Sequence, residues 1–126
     1  MKGTMAMLKL MAAAAALSMM TAAALAEGPA LGGHYTVQGT NLNGSPYSGE
    51  ADITVTTETT CRIEWTTGDT SSSGICMRND DSFAAGYSMG DKVGLVIYKI
   101  MSDGTLNGLW TVADTPGNGT EVLTPK

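Results

Sequence analysis

Apolar and polar residues alternate along much of the chain, a pattern that predicts β-strands with one buried and one solvated face. The most apolar segment beyond the N-terminal region is residues 93–102, which is followed by Asp103-Gly104 and then by residues 106–112. Because Asp-Gly between two apolar segments is a strong turn signal, we predict two long antiparallel strands here. Residues 95–98 are apolar at every position. One face of this hairpin can therefore serve the interior, while the other needs cover or offers a contact surface.

Six shorter segments repeat the alternation, namely residues 34–39, 51–57, 61–65, 74–77, 82–87 and 120–124. Turn-forming residues such as Asn43-Gly44 separate them, and helical 3.6-residue periodicity is absent beyond the N-terminal region. Residues 46–47 are predicted to be loop or edge strand, because Pro46 cannot donate a ladder hydrogen bond. Eight strands with short sequential connections predict an all-β fold, an eight-stranded antiparallel up-and-down barrel or half-barrel. A β-sandwich is the alternative.

The two cysteines, Cys61 and Cys76, flank a predicted hairpin. If that hairpin turns at Gly68-Asp69, Cys61 lies directly opposite Cys76, and the large Trp65 lies opposite the small Ser72. Two cysteines opposed on adjacent strands are within reach of a disulfide. We therefore predict a Cys61–Cys76 disulfide. It would close a loop of about 15 residues and stabilise the domain by roughly 3 kcal/mol.

The alternation also predicts which side chains face the barrel interior. They either fill it or line a small pocket, and a barrel with short strands favours a filled interior. The predicted interior residues are Tyr35, Val37, Ile53, Val55, Ile63, Trp65, Leu106, Trp110 and Val112. Candidate contact residues lie near turns or in the apolar hairpin, where an exposed aromatic side chain can anchor a partner. These are Ser82, Phe83, Tyr87, Val96 and Tyr98.

The N-terminal 26 residues have the three parts of a secretory signal peptide. Lys2 and Lys9 supply positive charge, residues 10–17 are apolar, and Ala24-Leu25-Ala26 is a small-x-small cleavage site. The apolar part is short and alanine-rich, and no stop-transfer charges follow it, which argues against a transmembrane anchor. We therefore predict a signal peptide at residues 1–26, a single β domain at residues 27–126, and a periplasmic or secreted protein with no membrane insertion after cleavage.

The charge of the predicted mature chain limits its partners. Without Lys2 and Lys9 it has five basic and twelve acidic residues, a net charge of −7. Nucleic-acid affinity comes chiefly from clustered Lys and Arg, so a nucleic-acid partner is not expected. Adhesion to an anionic membrane surface is disfavoured for the same reason. An acidic surface fits a cationic protein partner or simple solubility.

Candidate catalytic and metal-binding groups are few. His34 is the one histidine, it lies on the polar face of its strand, and no G-x-S-x-G sequence accompanies it. Asn79-Asp80-Asp81 and Asp91 have oxygen ligands suited to Ca²⁺, but they lack EF-hand spacing. One histidine and two paired cysteines do not make a zinc site. The expectation is a protein that is not an enzyme and holds no cofactor or metal.

Several sequence elements extend over nearly all of the predicted domain. They are Tyr35-x-Val37-x-Gly39-x-Asn41, Asn43-Gly44-x-x-Tyr47-x-Gly49, Asp103-Gly104-x-Leu106-x-Gly108-x-Trp110 and Gly119-x-Glu121-x-Leu123. Together they resemble small exported proteins of Gram-negative bacteria, mostly of unassigned function. The L-x-G-x-W element is also similar to strands of avidin- and lipocalin-like barrels, although lipocalins have their G-x-W near the N-terminus. The segment at residues 82–87 resembles the Ser- and Gly-containing inhibitory loop of periplasmic lysozyme inhibitors.

Two function hypotheses follow. The first is a non-enzymatic exported β-barrel that binds a small apolar ligand or a protein partner. The alternative, which the third resemblance implies, is a periplasmic inhibitor of a secreted hydrolase such as lysozyme.

Overall fold

The computed structural model describes residues 30–126, so the predicted signal peptide lies outside the described residues. Eight strands follow one another along this part of the chain: β1 (Gly33–Thr40), β2 (Pro46–Val55), β3 (Thr60–Thr67), β4 (Thr70–Asn79), β5 (Ser82–Met89), β6 (Lys92–Ile100), β7 (Leu106–Val112) and β8 (Gly119–Pro125). Each strand pairs antiparallel with the next, and β1 pairs with β8 to close the barrel. The predicted eight-stranded up-and-down barrel is confirmed. In residues 30–126 no helix is long and apolar enough to cross a membrane.

The up-and-down order gives the barrel two different ends. We call the end with the β1–β2, β3–β4, β5–β6 and β7–β8 connections the open end, and the end with the other three connections and residues 30–32 the closed end. Two-residue turns at the open end contain Gly68 and Gly90, with φ of 61° and 64°. Such turns need positive φ, which glycine adopts without strain.

The closed end is packed with apolar side chains. Phe83 and Leu106 are fully buried, and the Phe83 ring stacks on that of Tyr98 with 5.3 Å between ring centroids. The segment before β1 covers this end, because Leu31 is buried and its carbonyl oxygen accepts a hydrogen bond of 2.5 Å from the Tyr35 hydroxyl.

The cysteine hairpin has the predicted register. Cys61 and Cys76 are directly opposed on β3 and β4, with a Cα–Cα distance of 5.0 Å, and they form a disulfide. Trp65 lies opposite Ser72, as the turn at residues 68–69 requires. The disulfide prediction is confirmed, together with the spacing argument behind it.

One prediction about β2 is confirmed and one is wrong. Residues 46–47 form an edge, as predicted, because they pair with β1 while the pairing of β2 with β3 begins at Glu50, and Pro46 is the first residue of the strand, a position at which proline is tolerated. Val55, predicted to be interior, is 53% exposed. It has the correct alternation phase, but it is the last residue of the strand and lies beyond the packed interior.

The outer surface of the barrel is polar on one side and apolar on the other. We call the apolar side the outer apolar face, and it consists of Ile75, Met77, Val93, Leu95, Ile97 and Leu109, all more than half exposed. Strand pairing joins them, since Leu95 and Ile97 lie opposite β5 on one side and β7 on the other. Within residues 30–126, no segment of the chain covers this face, so the second face of the long hairpin is bare.

Candidate binding cavity

A cavity of about 350 Å³ occupies the open half of the barrel. Four aromatic side chains, one aliphatic side chain and one carboxylate form its walls and floor: Tyr47, Trp65, Tyr87, Val96, Trp110 and Glu121. Short polar side chains, including those of Asn41, Thr67, Thr70 and Ser72, line its rim. The lining therefore combines apolar walls with a few polar groups, as small-molecule sites do.

Strand register explains why these rings leave a space between them. Tyr47, Tyr87 and Trp110 each lie directly opposite a glycine of the neighbouring strand: Gly39, Gly94 and Gly119 respectively. A Cβ atom on any of these glycines would overlap the opposing ring. The rings therefore lie close against the barrel wall, as aromatic residues do when they cover a strand glycine.

The rings also contact one another. Trp65 and Tyr87 pack edge to face, with centroids 5.3 Å apart and planes at 63°. Tyr47 and Trp110 form a second such pair, with centroids 6.2 Å apart and planes at 79°. Edge-to-face pairs hold aromatic side chains in defined orientations. The cavity walls are therefore preorganised.

Glu121 is the one charged side chain among the buried residues of the described chain, and it is only 6% exposed. Its Oε1 accepts a hydrogen bond of 2.7 Å from the Tyr47 hydroxyl. Its Oε2 accepts one of 3.0 Å from Trp65 Nε1 and another from the Tyr98 hydroxyl. The carboxylate thus ties β8 to three other strands.

The phenols around Glu121 hold their protons tightly. Burial, together with the negative charge of Glu121, raises the pKa of Tyr87 from 10.0 to about 12. The same two causes raise the pKa values of Tyr47 and Tyr98. These hydroxyls therefore remain hydrogen-bond donors at neutral pH. In the described chain no buried side-chain nitrogen or oxygen lacks a hydrogen-bond partner.

Eight of the nine predicted interior residues point inwards, Val55 being the exception. Trp65 and Trp110 line the cavity, Val112 is buried at the open-end terminus of β7, and the remaining five are buried in the core cluster: Tyr35, Val37, Ile53, Ile63 and Leu106. A filled interior is therefore correct for the closed half and wrong for the open half.

Most of the candidate contact residues point inwards. Phe83, Val96 and Tyr98 are buried, and Tyr87 lines the cavity, so only Ser82 is exposed. The expectation that they form an outer contact is wrong for these four residues. The reason is the phase of the alternation, because the outward positions next to Val96 and Tyr98 are Leu95 and Ile97 of the outer apolar face, and those next to Phe83 are Ser82 and Ala84.

Sequence reasoning missed Glu121 as a site residue and did not place Tyr47 in the barrel interior. The sequence signal for Glu121 is its alternation phase, because it lies two residues from the apolar Leu123 and residues two apart on a strand share a face; the structure buries both. Tyr47 was obscured by Pro46, which shifted the predicted start of β2. Both residues become evident once the strand register is known.

The groups considered for catalysis and metal binding do not meet. His34 lies on the outer surface and pairs with Asp52 across β1 and β2. Asp91 is at the open end, whereas Asp80 and Asp81 are in a turn at the closed end. Among residues 30–126, no three His, Cys, Asp or Glu side chains are grouped to hold a metal ion.

No protein-family model and no curated protein matches the sequence. Several solved structures match the fold. A redesigned β-barrel named b11L5F_LGL has a TM-score of 0.66 at 19% identity, with 76% of this chain and 91% of that chain covered. The redesigned barrel mFAP1, described as bound to DFHBI, has a TM-score of 0.64 at 21% identity, covering 75% and 94%. A de novo designed fluorescence-activating barrel has a TM-score of 0.61 at 13% identity, covering 75% and 93%. At these identities the likeness shows the fold alone: the chain is a closed β-barrel similar in architecture to these designed barrels.

Proposed function

We propose that this protein is a non-enzymatic binding protein that holds a small molecule in the cavity at the open end of the barrel. The observation that carries the proposal is the aromatic cavity itself. Its volume of about 350 Å³ is at the small end of the range for ligand sites, about 300–1,000 Å³. Protein interiors are otherwise close-packed, and voids in them are destabilising. A cavity beside a fully packed half of the same barrel therefore favours a binding role.

Solved structures of similar fold support the proposal, because some of them are described with a bound small molecule. Two of the designed barrels, mFAP1 and mFAP0, are described as bound to DFHBI, and each has more than nine-tenths of its length covered by this chain. An eight-stranded barrel is just wide enough to hold one small ligand. A closed barrel of this size is therefore compatible with small-molecule binding.

We propose the periplasm or the extracellular space as the site of this function. The Cys61–Cys76 disulfide fits an oxidising compartment, and such bonds are rare in the cytosol. The predicted signal peptide at residues 1–26 would deliver the chain there. Mass spectrometry of the exported protein tests this, because cleavage after Ala26 leaves a chain that begins at Glu27. An intact N-terminus on the exported protein would contradict it.

The chain provides its own reporters for the binding test. It has two tryptophans, Trp65 and Trp110, and both line the cavity. Intrinsic fluorescence and the two indole N–H resonances therefore report on the cavity. We expect members of a library of small aromatic compounds to quench the fluorescence and shift both resonances. A library in which no compound does so would overturn the proposal.

A matched pair of variants locates the binding. Ser72 lines the cavity, whereas Ser73 is the next residue on β4 and is exposed. Ser72→Leu should therefore fill part of the cavity and abolish binding, while Ser73→Leu should leave it unchanged. Equal affinity in the two variants would place the ligand elsewhere and contradict the proposal.

A protein partner is the second candidate, and the bare outer apolar face favours it. Exposed apolar patches of this kind often mark interaction sites. A second copy of the chain is the partner that can be tested directly, by sedimentation velocity over a range of concentrations. We expect self-association that Leu95→Lys weakens. A wild-type chain that stays monomeric at all concentrations would exclude a second copy at this face.

The hydrolase-inhibitor alternative stays a prediction. Residues 82–87, to which it was assigned, belong to β5 and present Ser82 and Ala84 outwards, whereas Phe83 points into the core. A lysozyme activity assay with purified protein tests it. Inhibition that Ala84→Glu relieves would support the alternative, and full activity at micromolar protein would remove it.

A further inference from the structure

The carboxylate at the floor of the cavity can accept one more hydrogen bond. A carboxylate has about four acceptor positions on its two oxygens. In Glu121 the Oε2 atom accepts two bonds, from Trp65 and Tyr98, whereas Oε1 accepts one, from Tyr47. Because Glu121 also lines the cavity, a ligand there can supply a donor to Oε1.

The charge of Glu121 is not balanced by its partners in the described chain. All three hydrogen bonds to it come from neutral donors, two phenols and an indole. Within residues 30–126, the carboxylates that do have a basic partner lie on the surface: Glu50 pairs with Lys126, and Asp52 pairs with His34. A buried charge without a counter-charge is unfavourable. A positively charged group in the cavity would balance it.

The cavity walls suit the same charge. Tyr47, Trp65, Tyr87 and Trp110 surround the space next to Glu121. Aromatic ring faces attract cations, and cages of such rings recognise alkylated ammonium groups. An anionic ligand would be repelled by Glu121, and a neutral one would leave the carboxylate unbalanced. The rings and the carboxylate therefore both favour a positively charged ligand.

We propose that the ligand of this cavity is a small organic cation, a protonated amine on an apolar or aromatic body. The ammonium group donates a hydrogen bond to Glu121 Oε1, and the apolar body packs between the aromatic rings. This inference rests on the proposed function, since it names the ligand class of the same cavity. The net charge of −5 of the full chain would also attract cations towards the protein.

Three probes of similar size separate charge from shape. Benzylamine is protonated at pH 7, benzyl alcohol is neutral, and benzoate is an anion. Calorimetry and tryptophan fluorescence with the unmodified protein should give benzylamine an affinity about 10-fold higher than that of benzyl alcohol, because charge-assisted hydrogen bonds are about twice as strong as neutral ones. Benzoate should not bind.

A variant tests the role of the carboxylate. Glu121→Gln keeps the size of the side chain, and its carbonyl oxygen can accept from Trp65 and Tyr98 while its amide donates to the Tyr47 hydroxyl. We expect this variant to bind benzylamine and benzyl alcohol equally. Glu64→Gln removes the same charge from an exposed position of β3 and should keep the preference for benzylamine.

The outcomes separate this inference from the proposed function. If benzyl alcohol binds the unmodified protein as tightly as benzylamine, the cation inference is overturned while a small-molecule function stands. If none of the three probes and no library compound binds, both are overturned. If Glu121→Gln does not fold, the comparison of the three probes on the unmodified protein decides alone.

Discussion

The two ends of the barrel use aromatic residues differently. At the closed end Phe83 lies opposite Tyr98 on β6 and opposite Arg78 on β4, and its ring stacks on the Tyr98 ring inside the barrel. At the open end Tyr87 and Trp110 lie opposite glycines and stay close to the wall. Tyr98 also covers a glycine, Gly108, so the two ends differ in what the rings meet inside the barrel. Phe83 and Tyr98 stack and fill the closed end, whereas a cavity of about 350 Å³ lies between the rings of the open end.

The packing of the closed end stabilises the fold, whereas the cavity of the open end provides the proposed ligand site. The closed end has the disulfide, the stacked rings and the covering Leu31. The open end has the polar rim and the buried carboxylate. Apolar burial and cross-links at one end can maintain the fold while side chains at the other end remain available to a ligand. Changes at the two ends should therefore have different consequences.

The largest expected effect is at the closed end. Phe83→Ala removes a fully buried ring and should lower the free energy of unfolding by about 3–5 kcal/mol. Trp110→Ala at the open end should cost roughly half as much, because Trp110 is only partly buried. Urea denaturation of both variants measures this difference. Equal losses would contradict the division between the two ends.

Loss of the disulfide should have the next largest effect. The bond spans a sequence separation of 15, so replacing Cys61 and Cys76 together by alanine should cost about 3 kcal/mol. The remaining folded protein should still bind benzylamine with unchanged affinity, because the bond lies outside the cavity lining. A loss of affinity under conditions where the variant is folded would show that the two ends are coupled.

A smaller expected effect tests the glycine–ring contacts. A Cβ atom at Gly119 would overlap the Trp110 ring and also the backbone carbonyl oxygen of Thr40, so Gly119→Ala should displace the ring, disturb the β1–β8 pairing beside it and cost about 1–3 kcal/mol. The indole N–H resonance of Trp110 should shift, and ligand affinity should fall. Gly86→Ala is the matched control, because its Cβ would be an ordinary 3.8 Å from Leu95 Cδ2. Similar effects of the two substitutions would contradict a role for the close contacts at Gly119.

The smallest expected effect concerns alkaline pH. Burial and Glu121 raise the pKa of Tyr87 from 10.0 to about 12, so the unfolded chain releases this proton at lower pH than the folded protein. Its contribution to stability is complete below pH 10 and is lost as pH rises towards 12. Tyr87→Phe should therefore lose less stability than the unmodified protein over this window in urea denaturation. Glu64→Gln should follow the unmodified protein. If the free energy of unfolding depends on pH identically in all three proteins, the burial of this hydroxyl next to Glu121 is contradicted.

The fold and the disulfide could be predicted because both depend on local patterns. A period of two identifies strands, and short turns between them leave few topologies. The position of the turn at residues 68–69 then sets the register that brings Cys61 to Cys76. The same reasoning failed at the strand terminus, where Val55 has the correct phase but no packed interior beside it.

The cavity could not be predicted in the same way. Alternation indicates that Trp65 and Trp110 point inwards, but it does not indicate whether a ring fills the centre or lies against the wall. That depends on the residues across the neighbouring strands and on the other rings met inside the barrel, and therefore on the register of every pair. Glu121 could not be predicted for a different reason, because acidic side chains are rarely buried and the donors that accompany this one come from three other strands.

The central claim, that the open end binds a small ligand, is tested most directly by nuclear Overhauser contacts to the ligand with the highest affinity in the titrations. The predicted result is a set of contacts from the ligand to the indole protons of Trp65 and Trp110 and to the Tyr87 ring, with none to Phe83 at the closed end. Contacts only to the outer apolar face, such as to Leu95 and Ile97, would contradict the claim.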